Sequence, residues 1–366
     1  MNSIEKIGKI ETLALFITII SNNIIINIST IILNVTNTGA WVNVIYLTVI
    51  CLLLTLLICK FFKPFINSDI LDVSYFLGGK VLKYIVAILY IILFLSFSAL
   101  CLRYFANSLN IIYFNNTPLV LLILFLLVPA AIAGKAGLKA VSGSNIIFVP
   151  IYVLSLLVFF FAAIRFFDWQ NLFPIFGNGI KETFLTNATN IFAFNVVAYL
   201  YFLKPFLKDE NHYKKISIFA VIMCGIYLLI SILTLLMTFS FISHTDETLS
   251  MYLVTRLISF GRFFQRIDAI FIFTWILVIL SFISLNLFII AHIIKKTTRL
   301  KSHSELVFAS SALMFSLSLL FKNMSTIKYL TANVYKIYAV ILVFIVSFLI
   351  LLFAYIKKKR SKGVPK

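Results

Sequence analysis

Long apolar runs are the feature that most constrains what this chain can fold into. A membrane-spanning helix needs about 20 mostly apolar residues, and ten such segments follow one another along the sequence. The polar connectors between them are too short to form a soluble domain. The pattern predicts one all-α integral membrane domain, residues 1–366, with ten transmembrane helices. The predicted spans are 10–34, 41–59, 82–105, 118–134, 144–167, 186–206, 214–243, 267–294, 304–321 and 334–356.

The composition supports lipid as the solvent of this chain. Hydrophobic residues make up 62% of it and charged residues only 12%, whereas soluble domains are about 25% charged. Lys6 and Lys9 precede the first apolar stretch, which lacks the small-residue cleavage site of a signal peptide. We therefore expect that stretch to remain as the first span.

The basic residues predict the orientation of the spans. The formal net charge is +19, and Lys and Arg concentrate in alternate connectors and near both ends of the chain. Connectors of this kind lie on the cytoplasmic side of membrane proteins. Both termini are therefore predicted to be cytoplasmic, and nucleic acid is not an expected partner.

No enzyme chemistry is indicated. The four cysteines lie in or at the ends of apolar runs, without CxxC spacing or nearby histidines, so neither a metal site nor a disulfide framework is predicted. The sequence has no G-x-S-x-G, H-E-x-x-H or P-loop motif. We expect a protein that is not an enzyme and has no cofactor.

Polar residues interrupt the first and sixth predicted spans near their middles. The first contains Ser21-Asn22-Asn23 and Asn27, and the sixth contains Asn195 within "NATNIFAFNVVAY". Ten spans in two halves of five, each half beginning with an interrupted helix, are typical of transporters built from inverted repeats. In such folds the two broken helices meet and bind the ligand. The alternative is that these small polar residues only hydrogen-bond neighbouring helices.

Four sequence strings resemble those of the GerAB-type endospore germination permeases, in the amino acid–polyamine–organocation transporter superfamily. The strings are "TGAWVNV" (38–44), "NLFPIFGNGI" (171–180), "FLKPFLKDE" (202–210) and "RLISFGRFFQRIDAIFIFTWIL" (256–277). The resemblance implies a LeuT-like fold in the spore inner membrane, with broken helices 1 and 6. It further implies a receptor subunit that senses a small nutrient, typically an amino acid, together with a membrane A subunit and a lipoprotein C subunit.

The sequence departs from this family at three places. The Gly-Glu pair common in the sixth helix is replaced by Asn195-Val196, and the glycine usual in the first break by Ser21-Asn22-Asn23. Gly261 is followed by Arg262, where the family often has an acid. Without the sixth-helix carboxylate, we expect a neutral or weakly polar nutrient.

The candidate binding residues follow from the two interruptions. Half-helix N-termini suit a ligand carboxylate, and asparagines add neutral donors and acceptors. Phe192 and Phe194 are expected to form an apolar wall, or else to pack as ordinary apolar residues. The predicted ligand-binding set is Ser21, Asn22, Asn23, Asn27, Phe192, Phe194 and Asn195.

Two further groups of residues are candidates for other roles. Ser281 and Ser284 in the eighth span are a candidate cation site, with helix packing by small residues as the alternative. Arg262, Arg266 and Asp268 stand just before that span and are candidates for gating or subunit contact. The alternative is that they set the depth of the span, with arginine stems reaching to the interface.

The leading functional interpretation is a membrane subunit that binds a nutrient and signals germination. The alternatives are an ion-coupled amino-acid permease and a scaffold subunit whose pocket has decayed. No carboxylate is predicted at mid-membrane depth, which argues against carboxylate-based proton coupling.

Overall fold

The chain folds into a bundle of helices. The computed structural model describes residues 5–239, 250–258, 268–298, 300 and 302–362. In these ranges no β-strand is present, and the one extended pairing is a bridge between Ile7 and Leu207. The predicted all-α fold is confirmed.

The α-helices are bounded as follows: α1 Lys9–Ile25, α2 Ile28–Thr36, α3 Ala40–Phe62, α4 Ile70–Ile112, α5 Leu119–Lys135, α6 Leu138–Ala163, α7 Ile180–Phe184, α8 Val196–Leu203, α9 Tyr213–Thr238, α10 Ser250–Leu257, α11 Asp268–Thr298, α12 His303–Leu320, α13 Met324–Tyr329, α14 Lys336–Ala339 and α15 Ser347–Lys362.

Much of this bundle can cross a membrane. Among the described residues, seven continuous helical stretches are long and apolar enough to do so, and Leu119–Lys135 and Val196–Phe206 are shorter apolar helices. Many large apolar side chains stay exposed on the outside of the bundle, as they do on a surface that contacts lipid. The chain is therefore a multi-pass membrane protein.

The first long helix is broken between α1 and α2. α1 ends at Ile25, and Asn27 has φ 59° and ψ 32°, in the left-handed region that asparagine tolerates better than most residues. Ser21, Asn22 and Asn23 lie inside α1 rather than in the break. The predicted interruption is confirmed at Asn27 but is wrong at the three earlier residues, which are helical. The side-chain amides of Asn22 and Asn23 bond to neighbouring helices and leave the backbone of α1 intact.

The sixth long helix is also broken. Its first half, Thr186–Phe194, is a 3₁₀-helix, and its second half is α8. Asn195 joins the two halves. A 3₁₀-helix of nine residues is longer than usual and often marks a functional hinge. The prediction of a broken sixth helix is confirmed.

The two breaks lie at the centre of the bundle. α1 packs against α6, α9 and α11, while α11 also packs against α4 and α5. Residues around both breaks are buried, including Asn23 and Phe194, each with 0% of its surface exposed. The packing therefore brings the broken helices together away from lipid.

The last long helix departs from α-geometry twice. Leu330–Tyr335 and Val340–Val346 are π-helical, which leaves backbone carbonyls available to other partners. The hydroxyl of Tyr201 in α8 donates to the carbonyl of Val343 over 3.0 Å. The second half of the broken sixth helix is thus attached to the last span.

Candidate functional site

Two asparagine amides connect the broken helices. Asn23 Nδ2 in α1 donates to the carbonyl of Ala193 at 2.9 Å, and Asn195 Nδ2 donates to Asn23 Oδ1 at 3.0 Å. Cys224 in α9 also contacts the Ala193 carbonyl, with 3.6 Å from its Sγ to the oxygen. We call Asn23, Ala193 and Asn195 the amide bridge.

Two amide oxygens beside this bridge have no hydrogen-bond donor among the described residues. They are Oδ1 of Asn22 and Oδ1 of Asn195, and both residues are buried. Asn22 Nδ2 lies 3.7 Å from the sulfur of Cys101 in α4. A buried acceptor without a donor costs about 1–3 kcal/mol. The two oxygens are therefore suited to a ligand that carries N–H or O–H donors.

A buried lysine approaches the same region from α14. Lys336 is 7% exposed, and its Nζ donates to Asn190 Oδ1 at 2.7 Å. Nζ also lies 5.7 Å from the centroid of the Phe192 ring. No described carboxylate forms an ion pair with Lys336. A buried cation without a counter-charge is a strong indication of a functional role in a membrane protein.

Hydrogen bonds fix the orientation of the amide beside this lysine. Asn190 Nδ2 donates to Asn43 Oδ1 at 3.1 Å, and Asn43 Nδ2 donates to the carbonyl of Thr183 at 2.6 Å. The oxygen of Asn190 is thereby directed at Lys336. Sequence reasoning missed this lysine, although it stands within the predicted span 334–356.

Two small cavities lie next to the breaks. One, of about 30 Å³, lies beside α1, with Ser21, Tyr152 and Trp275 in its wall. The other, of about 10 Å³, has Phe192, Asn195, Tyr199 and Tyr335 in its wall and continues beside α4. Both are much smaller than a typical ligand pocket, which starts near 300 Å³. The structure is therefore closed around the breaks.

The two phenylalanines predicted near the breaks are both buried. Phe192 is 1% exposed and contributes to the wall of the second cavity together with Asn195. Phe194 is fully buried. Neither residue faces lipid, and Phe192 alone lines a described cavity. Both remain candidate ligand-binding residues.

The two serines of the candidate cation site have different partners. Ser281 Oγ lies 3.3 Å from the hydroxyl of Tyr152, and Ser284 Oγ donates to the carbonyl of Leu280, one turn earlier, at 2.6 Å. No hydrogen bond among the described residues joins the two serines, and no group of three or more described acids, histidines or cysteines could hold a metal ion. A cation site at Ser281 and Ser284 stays a prediction.

The charged block before α11 is only partly described. Arg262 and Arg266 lie outside the described residues. Asp268 is 7% exposed at the start of α11 and accepts hydrogen bonds from Tyr113 at 3.1 Å and Tyr252 at 3.3 Å. Asp268 thus contacts the end of α4 and the helix α10. Its role in gating or subunit contact stays a prediction.

A second buried polar group lies at the end of the bundle near the N-terminus. Asp69 Oδ1 caps α4 by accepting from the backbone N–H groups of Leu71 and Asp72, at 3.0 and 3.1 Å. Asp69 Oδ2 contacts Lys296 Nζ at 2.7 Å and His292 Nε2 at 3.1 Å. We call Asp69, Asp72, His292 and Lys296 the ion cluster.

The ion cluster shifts the titration of its buried carboxylate. Burial alone would raise the pKa of Asp69, but the charge of Lys296 and the hydrogen bond with His292 hold it well below its ordinary value. Asp69 is therefore ionised in the folded protein at neutral pH.

Two of the strings that carry the family resemblance contact each other. Thr38 Oγ1 donates to the carbonyl of Pro174 at 2.6 Å, and Asn37 bonds to Asn178. A Cβ atom at Gly39 would lie 2.8 Å from Thr183 Oγ1, so a side chain at this position would clash. The loop 171–180 is thus fastened to the end of α2, close to the first broken helix.

Comparison of the sequence with known families confirms the resemblance. A family model described as "Spore germination protein" matches residues 9–327. The chain is 28% identical over 217 residues to the putative spore germination protein YfkT of Bacillus subtilis, covering 57% of each chain. It is 25% identical over 270 residues to the spore germination protein KB of the same organism, covering 72% of this chain and 71% of the relative.

Solved structures with a similar fold are sodium-coupled or cation-coupled transporters. A substrate-bound, outward-open Na⁺-coupled sialic acid symporter matches 92% of this chain and 79% of its own, with a TM-score of 0.63 and 13% identity. The second structure is Mhp1, a nucleobase-cation-symport-1 family transporter with bromovinylhydantoin bound. The match covers 97% of this chain and 94% of Mhp1, with a TM-score of 0.60 and 12% identity. At this identity the likeness shows the fold alone, which is the predicted LeuT-like fold.

Proposed function

Because the chain belongs to the spore germination protein family, we propose that it is the membrane subunit of a germinant receptor, which binds a small nutrient and signals germination. The observation that carries the proposal is the amide bridge, with two uncompensated amide oxygens beside it. In the proposed setting the protein lies in the spore inner membrane with both termini in the cytoplasm. It acts there with a larger membrane A subunit and a lipoprotein C subunit.

The polar groups around the breaks favour an amino acid as the nutrient. The oxygens of Asn22 and Asn195 can accept hydrogen bonds from an ammonium group. Lys336, near the ring of Phe192, can attract a carboxylate. A zwitterion has no net charge, in keeping with the expectation of a neutral nutrient. The aromatic wall at Phe192 and Tyr199 favours a small apolar side chain.

Binding requires the closed bundle to open. The cavities of about 30 and 10 Å³ admit no amino acid, so the nutrient has to select a conformation in which the broken helices separate. The long 3₁₀-helix and the π-helical turns are the segments able to absorb such a change. Movement of the first or sixth helix would then be the signal passed to the other subunits.

The experiment replaces Asn195 by Ala in spores and measures the amino-acid concentration that gives half-maximal germination. The change removes the bond to Asn23 and one acceptor oxygen. At about 1 kcal/mol for each hydrogen bond, we expect at least a tenfold higher concentration requirement. Asn333→Ala is the matched control, because Asn333 is exposed and bonds only to its own helix, at the Tyr329 carbonyl. Equal responses of both variants and the wild type would refute nutrient sensing at the bridge.

Transport is the second candidate function, and the likeness to coupled symporters favours it. Radiolabelled amino-acid uptake into vesicles that contain the purified chain separates the two functions. A receptor subunit gives no concentrative uptake with or without a sodium gradient, whereas a permease gives uptake that collapses with the gradient.

A scaffold subunit with a decayed pocket is the third candidate. It predicts that Asn195→Ala changes neither nutrient binding nor the germination dose, while deletion of the whole chain abolishes germination. Genes for A and C subunits beside that of this chain would support either kind of receptor subunit over a permease.

A further inference from the structure

A large basic cleft opens at the end of the bundle near the N-terminus. Its volume is about 960 Å³, and it lies between the end of α3, the beginning of α9 and the chain segment after α8. Six lysines line it, against a single acid, Glu210. The lysines are Lys6, Lys60, Lys63, Lys204, Lys208 and Lys214. We call this feature the lysine cleft.

The lysines at the floor of the lysine cleft have hydrogen-bond and ionic partners within the protein. Lys204 is 2% exposed, and its Nζ donates to the carbonyls of Phe62 and Phe65 and lies 3.4 Å from Glu210. Lys6 Nζ donates to Asn67 Oδ1 at 2.7 Å. These contacts use Glu210, the only acid among the described residues of the cleft wall, and hold the floor in place.

The positive charges at the rim of the cleft have no acidic partners among the described residues. Lys60, Lys63, Lys208 and Lys214 are exposed, and no described carboxylate forms an ion pair with any of them. Four like charges around one concavity create a positive potential, which physiological salt screens only beyond about 8 Å. The cleft is therefore suited to a ligand with a concentrated negative charge, such as a phosphate group.

An apolar stripe leads away from the cleft along α3. Leu56 belongs to the cleft wall. Leu53, Val49 and Ile45 follow at helical spacing along α3 and are 58%, 53% and 44% exposed. The predicted span 41–59 ends one residue before Lys60, so the cleft lies where hydrocarbon gives way to headgroups.

We propose that the lysine cleft binds the headgroup of an anionic phospholipid, with an acyl chain along the exposed stripe of α3. A free phosphate would use the lysines but not the stripe, and an acidic protein segment would not require the apolar path. Basic pockets between transmembrane helices are known to suit such headgroups. If these lysines served only to set the orientation of the protein in the membrane, they would not need to lie around a single cleft.

The lipid would also steady the beginning of the chain. Ile7 N donates to the Phe206 carbonyl at 2.8 Å, and Lys208 N donates to the Ile7 carbonyl at 3.0 Å. The N-terminal segment and the segment after α8 thus pair through their backbones, with Lys6 and Lys208 both in the cleft. A bound headgroup would hold this pair beside the second half of the broken sixth helix.

The test measures retention of added lipids by the full-length, detergent-purified protein in native mass spectrometry. The probes are dioleoyl phosphatidylglycerol and, as the uncharged comparison, dioleoyl phosphatidylcholine. Wild type should retain phosphatidylglycerol in preference, and Lys60→Gln with Lys63→Gln should weaken that retention about 25-fold, since each lysine near an anionic surface contributes roughly fivefold. The matched control is Lys80→Gln with Lys139→Gln, which removes the same charge from exposed lysines outside the cleft.

Three results would overturn the inference. Equal retention of both lipids by wild type, or equal losses in the cleft and control variants, would mean that the lysines act only through overall charge. Displacement of the lipid by millimolar inorganic phosphate, with phosphate alone stabilising the protein, would identify a soluble ligand. A cleft variant that keeps its lipid but loses a co-purifying protein would identify a protein interface.

Discussion

The amide bridge and the ion cluster are both buried and polar, but they differ in how many of their polar atoms have partners. In the ion cluster both carboxylate oxygens of Asp69 have partners: two backbone N–H groups contact Oδ1, and the side chains of Lys296 and His292 contact Oδ2. Beside the amide bridge, two amide oxygens have no donor among the described residues, and Lys336 has no counter-ion there. The difference indicates that the ion cluster holds helices together. The polar groups beside the amide bridge are those to which the proposed nutrient would bind.

The largest expected effect tests the cluster as a structural lock. Asp69→Asn removes the buried negative charge beside Lys296 and leaves that lysine only the half-exposed Asp72 as an ionic partner. It should lower the free energy of unfolding by about 3 kcal/mol. Thermal denaturation in detergent measures the change. Asp209→Asn is the control, because Asp209 is exposed and contacts the half-exposed His212, and it should cost less than about 0.5 kcal/mol.

The same variant in spores distinguishes a structural role of the ion cluster from nutrient sensing at the amide bridge. In spores, Asp69→Asn should lower receptor abundance without changing the nutrient concentration that gives half-maximal germination. A shift in that concentration larger than the one caused by Asn195→Ala would mean that the ion cluster, too, takes part in sensing.

The next effect tests whether Lys336 serves a ligand or the fold. Lys336→Met should raise the amino-acid concentration for half-maximal germination about tenfold, because the ligand carboxylate loses a charged hydrogen bond worth roughly 1.5 kcal/mol. The same change should leave the melting temperature nearly unaltered, because removal of an unpaired buried charge offsets the loss of the donor to Asn190 Oδ1.

Lys336→Arg is the conservative variant in this experiment. It keeps the charge and should restore most of the response to amino acids, though not to their amides, which lack the carboxylate. A marked loss of melting temperature in Lys336→Met, with an unchanged nutrient dose, would place the lysine in the scaffold instead.

The smallest effect is a pH dependence confined to the ion cluster. The pKa of Asp69 is depressed in the folded state, so the stability it contributes is fully present above the unfolded value of about 3.9 and declines as pH falls below it. Between about pH 5 and pH 3 the stability advantage of wild type over Asp69→Asn should shrink by about 1 kcal/mol. Denaturation at both pH values measures it, and a constant advantage would contradict the lowered pKa.

The sequence was sufficient for the fold because hydropathy and polar interruptions are local signals. Ten apolar runs and the asparagines at positions 27 and 195 indicated a bundle with two broken helices. The exact site of the first break was not accessible, because Asn22 and Asn23 bond to α4, α9 and the sixth helix, and such bonds exist only in the folded bundle.

Pairings between distant residues account for the rest of what the sequence did not reveal. Lys336 and Asn190 are 146 positions apart, and Asp69 and Lys296 are 227 apart. A lysine inside an apolar run was a visible signal for the first pair. Nothing local to Asp69, which stands in a polar connector as many surface acids do, indicated that it would be fully buried.

The contact between the two family strings limits how either string can be exchanged. Gly39 packs so closely on Phe176 and Thr183 that neither partner can change shape alone, and Thr38 bonds the backbone of Pro174. In this chain, replacing "TGAW" without "FPIFGNGI", or the reverse, would change only one side of this close contact. The two strings, 136 residues apart at Thr38 and Pro174, therefore have to be exchanged together if the contact is to be kept.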